Sequence, residues 1–401
     1  MGAPSNAEHL QGLLDHGDPT GKQREAVEAV IKHGSHRGAA IALNRAQSNI
    51  AQHIGLLKKK AARKGYAPEH GLTNGTASGF SLKGYSHLTK TPEGEPIWLK
   101  TDRDKEQQEQ AFRAALDAAK ESIPRSRPAR PPQKTEEDLC SCYVISDIHI
   151  GGLVWGEETR GTDWDSDIAE QTIMRWMEAA IESSPKARTA VLAQLGDALH
   201  HDGLESITPS SGHVLDADTR FQRLVRIAVR VLRRCIHLML LKHHEVRVIM
   251  AEGNHDMASS VWLREIFAAL YEDEPRVSVD VSPDPYYCVE FGKTSLFFHH
   301  SHKAKMDQVS RVFAGKFREV FGRTTYSYGH TGHLHHTASK EDSLMIVEQH
   351  PTLAPNDAYA SRAGHKSQSG ARVITYHRRF GEVGRSTIRP EMVMGGGNAA
   401  A

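Results

Sequence analysis

Mostly apolar runs in this chain stop, one after another, at the same kinds of side chain. Cys142 to Ile145 leads into Ser146-Asp147-Ile148-His149, and Thr189 to Leu195 leads into Gly196-Asp197. Val246 to Met250 precedes Gly253-Asn254-His255-Asp256, and Ser295 to Phe298 precedes His299-His300-Ser301-His302. A fifth segment, Gly332-His333-Leu334-His335, has the same chemistry. Runs this short and this apolar read as buried strands. Between them the apolar residues change to helical spacing: Ile173, Trp176, Met177, Ala180 and Ile181, then Phe221, Leu224, Val225, Ala228, Leu232 and Cys235. Strands alternating with helices restrict the chain to an α/β layered fold. The polar clusters then sit just past the carboxyl ends of strands, where open α/β sheets place their sites.

The rest of the chain divides around that half. Residues 1–20 show no periodicity and are expected to be a disordered tail. Over 21–70, Ala26, Val27, Val30 and Ile31 predict a helix that Gly34 ends, and Ser35 can cap the next one. Ile50, Ile54 and Leu57 share one face of a third. Residues 71–122 predict a β-hairpin turning at Thr91-Pro92-Glu93-Gly94-Glu95-Pro96, then a polar helix. Pro124, Pro128, Pro131 and Pro132, interleaved with arginines, mark a stiff linker over 123–138. The α/β domain spans 139–390, with 391–401 as a flexible tail.

Composition limits the partners. The formal net charge is +1, so any nucleic-acid affinity must come from a local patch. No apolar run approaches the roughly 18 residues of a membrane span, so no membrane partner is expected. With no signal-peptide core in the opening residues and 4 cysteines, the reading is a reducing cytoplasm, the host's if the gene is a phage's. Cys140 and Cys142 alternate onto one strand face and are expected to be core thiols, since no second pair completes a metal site.

The five clusters suit two divalent cations roughly 3.5–4 Å apart, a spacing that clamps both oxygens of a phosphoryl displacement. Asp147 and His149 lie two apart on an extended end, so both can face one ion. Asp197 arrives alone and is the natural bridge. Asn254 offers a neutral oxygen, and His333 and His335 can serve different ions. Nitrogen–oxygen sites of this kind suit Mn first here, with Fe, Zn, Co or Mg as the other choices. The order D-x-H, G-D, G-N-H-D, H, G-H-x-H over about residues 140–340 resembles the calcineurin-like metallophosphoesterases, the DNA repair exonucleases among them. The resemblance implies a two-layered β sandwich flanked by helices. It implies one metal held by Asp147, His149, Asp197 and His335, and a second held by Asp197, Asn254, His300 and His333. It also implies that a shared metal-activated hydroxide attacks phosphorus, that His255 protonates the leaving oxygen and that Asp256 orients His255. His299, His300 and His302 stand where that family has one ligand; His300 fits the strand pattern best, and His302 is placed behind it.

Weaker candidates surround the centre. His201 and His213, with His302, are read as substrate contacts. The arginines at 220, 223, 226, 230 and 233 are read as a solvated helix face. In the front end, the spacing of Ala39, Ala40, Leu43, Ile50, Ile54 and Leu57 resembles a helix-turn-helix, with Asn44 at the turn. Gln47, Ser48, Gln52 and His53 would face a groove, and Arg45, Lys58, Lys59 and Lys60 would meet phosphates. The same pattern also serves protein docking. The expected function is therefore a metal-dependent nuclease acting on DNA. Its rivals are a phosphodiesterase or phosphomonoesterase for small or cyclic nucleotides, and a DNA-binding regulator with a non-catalytic metal domain. The expected partner is DNA, followed by a second copy of the chain and by a phage or repair-complex protein.

Overall fold

The computed structural model describes residues 6–64, 66–68, 86–90, 96–100, 113, 129–209 and 212–395. Two compact units divide the chain, Met1–Asp104 and Lys105–Ala401.

In the first unit, α1 (Asn6–His16), α2 (Gly21–His33), α3 (His36–Ala42) and α4 (Gln47–Arg63) share one core. The first helix corrects the expectation of a disordered start. Leu10, Leu13 and Leu14 stand at i, i+3 and i+4 and are buried against Val27, Val30, Ile54 and Leu57. The local signals act as their chemistry requires. Gln23 Oε1 accepts the Thr20 N–H at 3.0 Å, Ser35 Oγ accepts the Gly38 N–H at 3.0 Å, and Asn44 takes φ 50° at the α3–α4 turn. Strands β1 (Ser86–Lys90) and β2 (Pro96–Lys100) pair antiparallel. Their expected turn, the polar helix after them (Arg113 apart) and the linker positions 123–128 lie outside the described residues.

The second unit begins at β3 (Glu136–Ile145), which takes the last positions of the expected linker. Then follow α5 (Gly156–Thr159), α6 (Ser166–Ser183), β4 (Ala187–Gln194), α7 (Phe221–Lys242), β5 (Glu245–Met250), α8 (Met257–Leu270), β6 (Val277–Val279), β7 (Tyr287–Phe291) and β8 (Thr294–His299). Next come α9 (Met306–Lys316), α10 (Arg318–Arg323), β9 (Tyr326–Thr331), β10 (Ala338–Glu341), β11 (Ile346–Gln349), α11 (Ala358–Arg362), β12 (Ala371–His377), β13 (Gly381–Ile388) and α12 (Pro390–Met394). The last helix occupies part of the stretch read as a flexible tail.

These strands form two sheets, in the orders β13-β12-β3-β4-β5-β6 and β10-β11-β9-β8-β7. The alternation of β3 explains how they stack. Tyr143 and Ile145 face α6 and α7, packing with Trp176, Leu224 and Leu232. Cys140, Cys142 and Val144 face the other sheet, packing with Tyr287, Leu296 and Phe298. The far side of that sheet, through Phe297 and Val347, covers Val309 and Phe313 of α9. The result is helices, sheet, sheet and helix, with two faces of each sheet buried, which is why the central strands read as continuous apolar runs. Cys140 and Cys142 are free core thiols, and burial pushes the Cys140 thiol up to about 12. Arg223 and Arg230 pair with Asp167 and Glu170 of α6 on a solvated face. No helix among the described residues is long and apolar enough to cross a membrane.

Candidate metal centre

Strands β3, β4 and β5 are parallel neighbours, so their carboxyl ends release three loops side by side. The parallel pair β8 and β9 does the same in the second sheet. The first two loops are zipped by backbone bonds, from Asp147 N–H to Gly196 O and from His149 N–H to Asp197 O, both 3.1 Å. Space between loops is tight. A β-carbon on Gly253 would lie 2.0 Å from Asp197 Oδ1, and one on Gly332 would lie 2.2 Å from Ser146 Oγ. Backbone strain gathers here as well. Asp147, His149, Asp197, His333 and His335 all adopt left-handed φ, between 43° and 76°. Such a conformation costs an L-residue roughly 1–2 kcal/mol, and it persists where the surroundings over-determine it, as at functional sites.

The side chains meet in two groups, Asp147–His149–His335 and Asp197–His300–His333. His300 Nδ1 donates to Leu195 O at 2.7 Å. Its Nε2 therefore faces Asp197 Oδ2, 3.1 Å away, and Asn254 Oδ1, 3.1 Å away. His335 Nε2 likewise faces Asp147 Oδ1 at 3.2 Å and His149 Nε2 at 3.3 Å. Asp147 Oδ2 is occupied by Ser146 Oγ and by the His333 N–H at 3.0 Å. Its Oδ1 is buried with no aligned donor. Ring nitrogens and carboxylate oxygens converge in both groups, an arrangement that needs positive charge between them, from a proton or from a metal cation. The groups are adjacent, since Asp147 Oδ1 lies 4.0 Å from His300 Nε2. These donors fit a pair of borderline divalent ions.

The electrostatics repeat the same demand. Burial alone would lower the pKa of His300, yet the Asp197 and Asp147 carboxylates hold it up at about 10. His335 is raised in the same way by Asp147. Burial works to raise Asp147 and Asp197, but the neighbouring imidazoles outweigh it and keep both below the carboxylate range. Burial holds His149 neutral, well below its ordinary value.

His255 lies at the edge of this centre. Its N–H donates to Asp197 Oδ1 at 2.8 Å, and its Nδ1 donates to His200 O at 2.9 Å. The expected Asp256–His255 contact is therefore corrected. Asp256 accepts from the backbone N–H groups of Asp197, Ala198, Leu199 and Gly253, at 2.7–3.2 Å. His201 is corrected too. It is buried, its Nδ1 bonds Gly203 O and its ring lies against Phe221, so it does not face the centre. The histidine that does is its neighbour His200, whose Nδ1 is 3.3 Å from His149 Nδ1. His213 is exposed on its loop, bonded through its N–H to Thr208, and is not brought to the cluster. His302 packs beside His300 and His333, with ring centroids 5.4 and 6.4 Å away. Thr352 and Gln349 carried no sequence signal. Thr352 Oγ1 donates to Asp147 O at 2.6 Å, and Gln349 Nε2 donates to His336 O at 2.9 Å, steadying two of the loops.

In the first unit, Gln47, Ser48, Gln52, Lys58 and Lys59 are exposed on α4. Arg45 pairs with Glu25 at 3.0 Å, and Lys60 bonds Gln23 Oε1 at 3.3 Å, so both serve the helical unit itself.

Solved structures similar to this chain include a predicted phosphoesterase from Streptococcus pneumoniae TIGR4, 11% identical, covering 63% of this chain and 100% of its own, with a TM-score of 0.28. An archaeal phosphodiesterase is 12% identical, covering 62% and 99%, with a TM-score of 0.30. The zinc complex of Vps29 from Entamoeba histolytica is 10% identical, covering 62% and 99%, with a TM-score of 0.27. No protein-family model and no curated protein matches the chain. The chemistry below rests on the residues themselves.

Proposed function

We propose that the chain is a metal-dependent phosphodiesterase that hydrolyses DNA. The observation that carries the reading is the meeting of two largely buried histidine–carboxylate groups, ring nitrogens against carboxylate oxygens, beside His255. Asp147, His149 and His335 would hold one divalent cation; Asp197, His300 and His333 would hold the other, with Asn254 Oδ1 at its edge and Asp197 common to both. When bound, such a pair supplies positive charge to the phosphate and acidifies the attacking water. His255, its Nδ1–H fixed on His200 O, keeps Nε2 as the atom that passes a proton to the leaving oxygen. Asp197 receives the His255 N–H, which ties the proton donor to a carboxylate of the second group.

The exposed polar and basic residues of α4 support DNA as the substrate. Internal use of Arg45 and Lys60 favours a second reading, a diesterase for small or cyclic nucleotides. With Mn²⁺, the protein is expected to degrade linear DNA, and Asp197→Ala or His255→Ala to abolish that. Turnover of bis-p-nitrophenyl phosphate without turnover of DNA would overturn the nuclease and leave the diesterase. Deleting residues 1–70 is expected to weaken DNA binding and flatten its salt dependence while small-diester activity survives.

A further inference from the structure

We propose that Asp202 is a positioning residue which, together with Asp256, joins two loops of the metal centre through exchanged carboxylate caps. The inference rests on the reading of His255 as proton donor. A helix leaves its first N–H groups without internal acceptors, and the residue at the cap position ordinarily fills that need. Asp256 occupies the cap position of α8, yet its side chain makes no cap bond there. Its carboxylate instead accepts from Asp197, Ala198 and Leu199, the backbone of the loop after β4. That loop returns the bond. Asp202 Oδ2 accepts the Ala258 N–H at 2.6 Å and Oδ1 accepts the Ser259 N–H at 2.7 Å, in the first turn of α8.

Each loop therefore caps the other. His255 is held between them, with its N–H on Asp197 and its Nδ1–H on His200. The His255–Asp197 contact therefore lies between two sets of bonds that tie the same two loops. Asp202 reaches this result through the first turn of α8, without touching His255.

Two measurements on the full chain with Mn²⁺ test it, using Asp202→Ala and the milder Asp202→Asn, whose amide keeps one accepting oxygen. The first is backbone hydrogen exchange. Exchange is expected to quicken by about tenfold or more at 258–259 and also at 197–199, with Asp202→Asn intermediate. Faster exchange confined to 258–259 would overturn the coupling. The second is a series of phosphodiesters with leaving groups from p-nitrophenol to simple alcohols. Displacing the proton donor is expected to lower kcat by about tenfold or more for the poorest leaving group and hardly at all for p-nitrophenol, with KM unchanged. An equal loss across the series would overturn the positioning role. If wild-type protein cleaves no diester in the series, the reading of the site as a phosphodiesterase fails, and the exchange data still decide the coupling.

Discussion

Two buried clusters in the second unit use nearly the same residue types and reach opposite electrostatic states. Around Asp147 and Asp197, imidazole nitrogens face carboxylate oxygens, and those carboxylates outweigh burial and hold His300 up at about 10. The other cluster joins His330, Glu348 and His350, three residues also close enough to hold an ion. There His330 bonds His350 Nε2 at 2.9 Å and Tyr376 OH at 3.0 Å. Glu348 is bonded by two guanidiniums, Arg372 and Arg385. Burial, reinforced by those arginines against Glu348, pushes His330 down to about 4. One cluster requires added positive charge, and the other already contains it. Proximity of histidines and carboxylates therefore does not define a metal site; the discriminating property is whether their acceptors already have donors.

The sharpest way to break this contrast is substitution. Asp197→Asn is expected to cut diester turnover by about a thousandfold or more, because on the proposed reading its carboxylate serves both cations and it also accepts the His255 N–H. His350→Gln should leave turnover within about threefold, since it touches neither group. Comparable losses in the two variants, measured as kcat/KM, would erase the distinction. The next effect is on stability. Glu348→Gln leaves two guanidiniums facing a neutral amide and is expected to cost about 3–5 kcal/mol in urea unfolding, with metal stoichiometry unchanged.

Acid should separate the clusters as well. His330 is depressed from 6.5 to about 4, and so is His243, where burial dominates over its bond to Ala187 O. In each case the unfolded chain binds the proton first, so the stabilising term is complete above 6.5 and is lost as pH falls toward 4. Each site contributes on the order of 3 kcal/mol by this route. Urea midpoints measured from pH 7 to pH 4 should fall, and fall less in a His330→Gln variant; an equal fall in both would remove His330 from the account. The smallest expected effect is that of metal on the folded state. At a hundredfold excess over Kd, Mn²⁺ should stabilise by about 2.7 kcal/mol. Asp147→Asn should reduce that gain, and Glu348→Gln should not.

Much of the metal centre was legible because chain geometry fixes it. Residues a few positions past a buried strand must emerge at its carboxyl end, so Asp147, Asp197 and Asn254 could be placed from apolar runs, whereas His333 follows the mixed run Tyr326–Thr331 and was found by its Gly-His-Leu-His pattern. Strand parity also explains the choice among three histidines. His300 shares its side of β8 with Leu296 and Phe298, which face the other sheet, whereas His299 follows Phe297 outward and stacks on Tyr286 at 4.1 Å. Contacts between loops were not legible. Asp256 sits beside His255 in sequence yet bonds backbone 57–59 positions away. His201 and His200 differ by one position, and only the fold of the turn decides which faces His149. The cluster at Glu348 pairs Glu348 and His350, two apart at the end of β11, with His330 of β9 and with arginines of β12 and β13 that no local motif links to them, and α1 was missed because its three leucines lie among polar residues.

The central claim is that Asp197 is common to two cation sites. Electron paramagnetic resonance during a Mn²⁺ titration tests it most directly. Two ions per chain are expected, with a spin-coupled dimanganese spectrum that Asp197→Asn abolishes. A titration that saturates at one ion with an uncoupled spectrum, or one in which Asp197→Asn retains the coupling, would contradict it.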